Sequence, residues 1–126
     1  SAFPKVTKYN TAGEQLWEQN ITGVPEIASI AIHFYETMER MQRSDPRNRI
    51  ELAYYTSGVS SPGGELYLAL SSDPLWIHRF DTSGKLTHRY KLVSKDVDIL
   101  PIFDIDFTGR RLFLVTEEGE IRTYMF

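Results

Sequence analysis

The side chains of this sequence best suited to catalysis or metal binding are two carboxylates placed two residues apart. Asp104 and Asp106 flank Ile105 in a segment expected to be a strand, so both carboxylates point to the same face. Such a pair could bind a divalent metal ion, or act as a general acid and a general base. The other interpretation, which we favour, is that they accept hydrogen bonds from backbone or hydroxyl groups between neighbouring sheets. No histidine or asparagine of a neighbouring strand completes a ligand set.

The three histidines offer a second source of metal ligands or of a general base. His33, His78 and His88 lack the i, i+4 or short-loop partner that metal sites usually have. His78 and His88 fall on opposite sides of one predicted hairpin, and we expect them to form an exposed cross-strand pair. The serines around Gly58 lie outside any Gly-x-Ser-x-Gly motif, so serine hydrolase chemistry is not predicted.

Aromatic side chains could instead form platforms on which sugar rings stack. The candidates are Trp17 and Trp76, together with Tyr54, Tyr55 and Tyr67. At strand positions such side chains more often fill the core between packed sheets, which is the interpretation we favour. The sequence therefore predicts no catalytic residue, no metal ligand, no cofactor-binding residue and no cofactor. The residues retained as candidates for ligand contact are Asp104, Asp106, Trp17, Trp76 and His78.

A repeated hairpin would position these residues. Residues 6–21 read VTKYNTAGEQLWEQNI, residues 77–92 read IHRFDTSGKLTHRYKL, and a third copy begins at Ile121. In the two longer copies an apolar strand is followed by Asn-Thr-Ala-Gly or Asp-Thr-Ser-Gly. These turns suit a hairpin, because the Asx side chain bonds nearby backbone and glycine accepts a positive φ. A repeated strand, turn and strand indicates an array of similar β-units.

Unequal spacing of the copies indicates an insertion between the first two. The copies begin at residues 6, 77 and 121, and only the second interval fits the roughly 40 to 45 residues of a four-stranded unit. The extra length corresponds to residues 22–48, which we predict to contain a helix over residues 25–43, since Pro25 suits a first turn and Ser44-Asp45-Pro46 would end it. The alternation of Ala28, Ile30, Ile32 and Phe34 leaves a strand as the alternative. The apolar residues that recur at helical spacing are Ile27, Ile30, Ala31, Phe34, Met38 and Met41.

The rest of the chain divides into parts of three such units. Residues 1–21 are the end of one unit, residues 49–93 form a complete unit, and residues 94–126 contribute three strands of the next. The predicted strands of the complete unit are Leu52–Ser57, Glu65–Leu70, Trp76–Asp81 and Lys85–Leu92. Those of the next unit are Phe103–Phe107, Arg111–Thr116 and Ile121–Phe126.

Two motifs carry a resemblance to a known family. Residues 77–85 read Ile-x-x-Phe-Asp-x-x-Gly-Lys, and residues 104–115 read Asp-Ile-x-Phe-x-Gly-x-x-Leu-Phe-Leu-Val. Together with the hairpin repeat, they resemble the six-bladed β-propellers of the NHL-like or degenerate-repeat type, over the whole chain except the insertion. The resemblance implies a mostly all-β fold of antiparallel four-stranded blades. It also implies an incomplete ring of about two to three blades, which the helix predicted within the insertion interrupts.

The resemblance says more about fold than about reaction, because propellers host many unrelated functions. The leading interpretation is a non-enzymatic propeller portion that acts as a binding or structural scaffold and is a fragment of a larger protein. Its partners would be the remaining blades, from the same protein or from other copies, and a protein or carbohydrate ligand. One alternative is part of a propeller hydrolase or lactonase whose metal site lies mostly outside this chain. The other is a self-associating carbohydrate-binding propeller.

Composition limits the remaining function classes. The chain has 126 residues, 41% of them hydrophobic, which is enough for a folded core. A formal net charge of −3, from 14 basic and 17 acidic residues, leaves no basic stripe for a nucleic-acid backbone. The longest apolar runs are far shorter than the roughly 20 residues that span a bilayer, so no membrane insertion is expected and the chain should be soluble. The lack of cysteine excludes disulfides and thiolate chemistry, and with no visible signal peptide the compartment stays open.

Overall fold

The computed structural model describes residues 4–126, which contain nine strands and one helix. The fold is mostly β with a single helix, as predicted. Within these described residues, no helix is both long and apolar enough to cross a bilayer. The elements in chain order are β1 Lys5–Tyr9, β2 Gln15–Asn20, α1 Pro25–Ser44, β3 Tyr55–Ser60, β4 Leu66–Leu70, β5 Leu75–Phe80, β6 Leu86–Leu92, β7 Ile99–Asp106, β8 Arg111–Thr116 and β9 Ile121–Met125.

The strands form three antiparallel sheets in which neighbours in sequence are also neighbours in space. β1 pairs with β2, β3 to β6 form a four-stranded sheet, and β7 to β9 form a three-stranded sheet. The prediction of Leu52–Ser57 as the first strand of the complete unit is wrong in its bounds. Leu52 and Tyr54 pack into the core before strand pairing begins at Tyr55, so the strand is displaced toward Ser60.

α1 confirms the helical interpretation of the insertion, and the strand alternative is wrong. Pro25 occupies the first turn, where its missing N–H costs no intrahelical hydrogen bond. Ile27 and Ala31 are buried, so the predicted apolar face packs against the protein. On the solvent side Arg43 pairs with Glu39 at 3.1 Å, one turn apart.

The β1–β2 and β5–β6 hairpins share the predicted turn chemistry. Oδ1 of Asn10 accepts hydrogen bonds from the amides two and four residues further along, each 2.9 Å long. Oδ1 of Asp81 does the same at the same distances. Gly13 and Gly84 follow at φ values of +84° and +91°, a region that favours glycine.

One face of the four-stranded sheet packs against the first sheet and the helix. Trp17 of β2 stacks on Phe80 of β5, with ring centroids 6.0 Å apart. Ile27 of α1 and Leu70 of β4 belong to the same core. Lys8 of β1 donates from Nζ to a backbone carbonyl of the β3–β4 turn at 2.5 Å. The first sheet and the helix therefore cover this face together.

The opposite face of the four-stranded sheet packs against the third sheet. Tyr67 and Ile77 contribute to a second core with Phe103 of β7 and Leu114 of β8. β3 also lies beside β7, where the hydroxyls of Thr56 and Ser57 donate to one β7 carbonyl, each at 3.0 Å. The three sheets are thus stacked face to face in chain order.

Candidate functional site

A chain of buried polar side chains connects the helix to the four-stranded sheet. His78 of β5 is fully buried, and its Nδ1 lies 2.8 Å from the hydroxyl of Tyr55. Its Nε2 lies 2.8 Å from Oε1 of Glu26, a residue in the first turn of α1. Arg89 of β6 approaches the same carboxylate from the other side, with Nε and Nη2 each 2.6 Å from a different oxygen. We refer to Glu26, His78, Tyr55 and Arg89 as the Glu26 cluster.

Local structure explains why these residues meet. His78 alternates with Trp76 and Phe80 along β5, and such residues share one face of a strand. Arg89 is the antiparallel partner of His78 in the β5–β6 ladder, so its side chain emerges on the same face. Glu26 reaches them from the start of the helix, where a carboxylate is stabilised by the exposed amide groups.

The environment of the cluster sets its charge state. Burial by itself raises the pKa of Glu26, but hydrogen bonds from Arg89, from its own backbone amide and from His78 outweigh burial and hold that pKa at about 2. Burial lowers the pKa of His78 in spite of the opposing effect of Glu26. Burial, together with the charge on Glu26, raises the pKa of Tyr55. At neutral pH, Glu26 and Arg89 are charged, whereas His78 and Tyr55 are neutral.

This charge state fixes the direction of each hydrogen bond. A carboxylate can only accept, so His78 donates from Nε2 to Glu26. Its Nδ1 then carries no proton and accepts from the hydroxyl of Tyr55. Both ring nitrogens of His78 are engaged inside the protein, and neither is presented to a substrate or a metal ion. The Glu26 cluster consequently holds α1 on the sheet.

Beside the Glu26 cluster lies a cleft of about 1150 Å³ between the N-terminal part of α1 and the segments that precede β3 and β5. Its walls are mainly apolar, with the charged residues Glu26, Glu51, Asp73 and Arg89 among them. Trp76 lines the cleft, and its ring is approached by the guanidinium of Arg89 at 5.5 Å and by Nζ of Lys91 at 5.8 Å. The principal apolar residues of the cleft are Ile30, Phe34, Leu52, Pro74 and Trp76.

Asp104 and Asp106 both lie on β7, with exposed side chains. Oδ1 of Asp104 accepts a hydrogen bond from the next backbone amide at 2.8 Å, and Oδ1 of Asp106 accepts one from the amide of Gly109 at 3.0 Å. These bonds are to backbone, as we favoured, but they lie within the sheet and not between sheets. Among residues 4–126, no group of three or more histidine, aspartate or glutamate side chains is arranged to hold a metal ion.

The other sequence candidates lie apart from the two aspartates. Trp17 is buried in the core between the first two sheets, whereas Trp76 lines the cleft. The predicted exposed pairing of His78 with His88 is wrong, because His78 belongs to the buried face of β5 and pairs in register with Arg89. His88 lies on the opposite face, where its ring stacks on Tyr90 with centroids 5.6 Å apart. The structure thus separates the candidates into several locations.

Two members of the Glu26 cluster have no counterpart in the sequence prediction. An acidic residue directly after Pro25 is typical of an exposed first turn, so Glu26 gave no sign of its burial. Arg89 sits in a polar stretch that reads as a solvent-facing strand. The available signal was His78, since its alternation with Trp76 and Phe80 predicts a buried polar group that needs partners.

Comparison with known proteins adds no further assignment. No protein-family model, no curated protein and no solved structure matches this chain.

Proposed function

We propose that this chain is a non-enzymatic portion of a β-propeller that acts as a binding or structural scaffold. The observation that supports it most is the stacking of consecutive sheets, face to face and in chain order, through the two apolar cores. In a propeller, each four-stranded blade packs on the next in this manner. The side-by-side placement of β3 and β7, the first strands of two consecutive sheets, agrees with first strands that line a common axis.

The polar sites also support a scaffold. The Glu26 cluster satisfies its own hydrogen bonds and so fastens α1 to the sheet without offering a reactive group. With the helix in place, the cleft beside Trp76 becomes a preformed, mostly apolar concavity, the type of surface that ligands occupy. A scaffold of this kind binds a ligand or a partner through shape and leaves it chemically unchanged.

Exposed carboxylates on β7 favour one alternative, which is part of a propeller hydrolase or lactonase. Asp104 and Asp106 lie on a first strand and retain access to solvent, as metal-binding or acid–base groups near an axis would. Their hydrogen bonds to local backbone supply a structural reason for their presence instead.

Turnover measurements separate these two functions. The purified protein is assayed with chromogenic esters and with lactones, with and without added calcium, magnesium or zinc ions. The scaffold predicts that Asp104→Asn and Asp106→Asn leave the background rate unchanged, as does Asp45→Asn at the end of α1, the matched control. Turnover that falls in the two β7 variants and persists in the control would overturn the proposal in favour of the hydrolase.

A further inference from the structure

The side of the third sheet that faces away from the four-stranded sheet carries apolar residues. We call this surface, formed by Ile102, Asp104, Phe113, Val115 and Ile121, the outer face. Ile121 is 68% exposed and Ile102 is 53% exposed, and the five residues line a shallow hollow of about 390 Å³. Large aliphatic side chains grouped in this way on one face of a sheet indicate an interaction surface.

Strand register shows which surface of the four-stranded sheet corresponds to the outer face. In β4, Tyr67 pairs with Val59 and Ala69 pairs with Ile77. The corresponding pairs in the third sheet are Phe113 with Asp104 and Val115 with Ile121. Tyr67, Ala69 and Ile77 therefore match Phe113, Val115 and Ile121 position by position.

The matching surfaces differ in what covers them. Ala69 and Ile77 are buried, because the third sheet lies on them and contributes Phe103 and Leu114 to the shared core. Among residues 4–126 no element lies on the outer face in the same way, which leaves Ile121 exposed. The same arrangement of side chains that binds a sheet once in this chain is thus present a second time without one.

We propose that the outer face docks a further antiparallel sheet, whose covering surface is apolar like that of Ile99, Phe103 and Leu114. Asp104 occupies the place of Val59, so the docked sheet also presents a hydrogen-bond donor opposite Asp104 to satisfy the carboxylate on burial. This inference rests on the proposed function, in which consecutive sheets stack in chain order, and it identifies a further antiparallel sheet as the partner of the outer face.

Chemistry argues against a second copy of this chain as the occupant. The side of β1–β2 that faces away from the core carries Lys5, Thr7 and Glu18 beside the exposed Tyr9 and Leu16, with Nζ of Lys5 and Oε1 of Glu18 3.4 Å apart. Docking that surface on the outer face would desolvate the ion pair of Lys5 and Glu18 against aliphatic side chains. Symmetric docking of two outer faces would bury the Asp104 carboxylate of each copy against aliphatic side chains.

Cysteine accessibility tests the proposal, because the chain has no cysteine of its own. Residues 83–126 are appended after Phe126, so that the turn after β9, its fourth strand and a further three-stranded sheet continue the repeat. Ile121→Cys in the first copy reports on the outer face, and Tyr9→Cys, at an exposed position of β1, is the control. Thiol labelling rates are compared between the chain and its extended form, and between the extended form and one with Leu114→Lys in the appended copy.

We expect the extension to slow labelling of the cysteine at position 121 by about tenfold or more and to leave the labelling rate at position 9 unchanged. Leu114→Lys in the appended copy should abolish the protection of position 121. The extension is also prepared with Asp104→Val in the first copy, which makes the outer face match its covered counterpart. Failure of both extended forms to protect position 121 overturns the inference. Protection of the unextended chain at high concentration, with a doubled solution mass, overturns it in favour of a second copy. Neither result depends on the turnover assay that tests the scaffold.

Discussion

Replacing Glu26 by glutamine tests whether the buried cluster holds the helix on the sheet. The substitution keeps the size of the side chain and removes the charge that binds Arg89 and orients His78. Because the pKa of Glu26 is held at about 2, against an ordinary value of 4.5, the carboxylate stabilises the fold by about 3 kcal/mol relative to a neutral group. We therefore expect Glu26→Gln to lower the free energy of unfolding at pH 7 by about 3 kcal/mol.

Urea unfolding followed by tryptophan fluorescence measures this loss, since Trp17 and Trp76 both lie close to α1 and the cluster. The matched control is Glu39→Gln, which removes an ion pair with Arg43 on the solvent side of the same helix, where both side chains are about 70% exposed. Exposed pairs one helical turn apart contribute about 0.5 kcal/mol or less, so the control should unfold almost as the parent does.

The pH dependence of the loss has a definite sign. The folded pKa of Glu26 lies below the unfolded value, so its stabilisation is present above pH 4.5 and disappears as the pH falls toward 2. The difference between the parent and Glu26→Gln should shrink from about 3 kcal/mol at pH 7 to less than half of that at pH 3. A loss of unfolding free energy below about 1 kcal/mol at pH 7, or one equal to that of Glu39→Gln, would refute the inference that the Glu26 cluster holds α1 on the sheet.

Two further predictions concern the contact of Trp17 with Gly84 and the buried ring of His78. Gly84→Ala should lower the free energy of unfolding by about 2 to 4 kcal/mol, because its Cβ would lie 2.6 Å from the ring of the buried Trp17. The control Gly13→Ala has a similar φ and open surroundings, so it should lower the free energy of unfolding by about 1 kcal/mol. Equal urea midpoints for the two variants would contradict this. Because the folded pKa of His78 lies below its usual 6.5, the unfolded chain binds the proton more readily, and the free energy of unfolding should fall as the pH drops below 6.5. Urea unfolding across this pH range measures the effect. His78→Gln should remove the loss of stability, whereas His88→Gln should keep it.

Local patterns in the sequence predicted much of the fold. The spacing of Ile27, Ala31 and Phe34 behind Pro25 identified the helix, and the Asx-x-x-Gly turns identified the two matching hairpins. The start of β3 escaped prediction because Leu52 and Tyr54 are as apolar as strand residues, and their role in the core depends on α1, which lies far earlier in the chain. The propeller arrangement stays a prediction, since the three sheets do not close a ring.

The polar site was much harder to predict. Glu26 is 52 residues from His78 and 63 residues from Arg89, so no local pattern links the three. The exposed role predicted for His78 came from reading the β5–β6 hairpin without the helix that covers it. Trp76 and Arg89 meet only because β5 and β6 pair in one register, a fact that residue types alone do not specify.

The contact between Trp17 and Gly84 gives the stack of sheets a direction. Trp17 of the first hairpin acts as a knob, and the turn of the second hairpin forms its socket at Gly84, which admits the ring because it has no side chain. Gly13 has the same turn conformation, and among residues 4–126 no heavy atom outside its chain neighbours lies within 4 Å of a Cβ built there. The contact therefore runs one way, because the first hairpin supplies the ring and the second hairpin supplies the glycine that admits it.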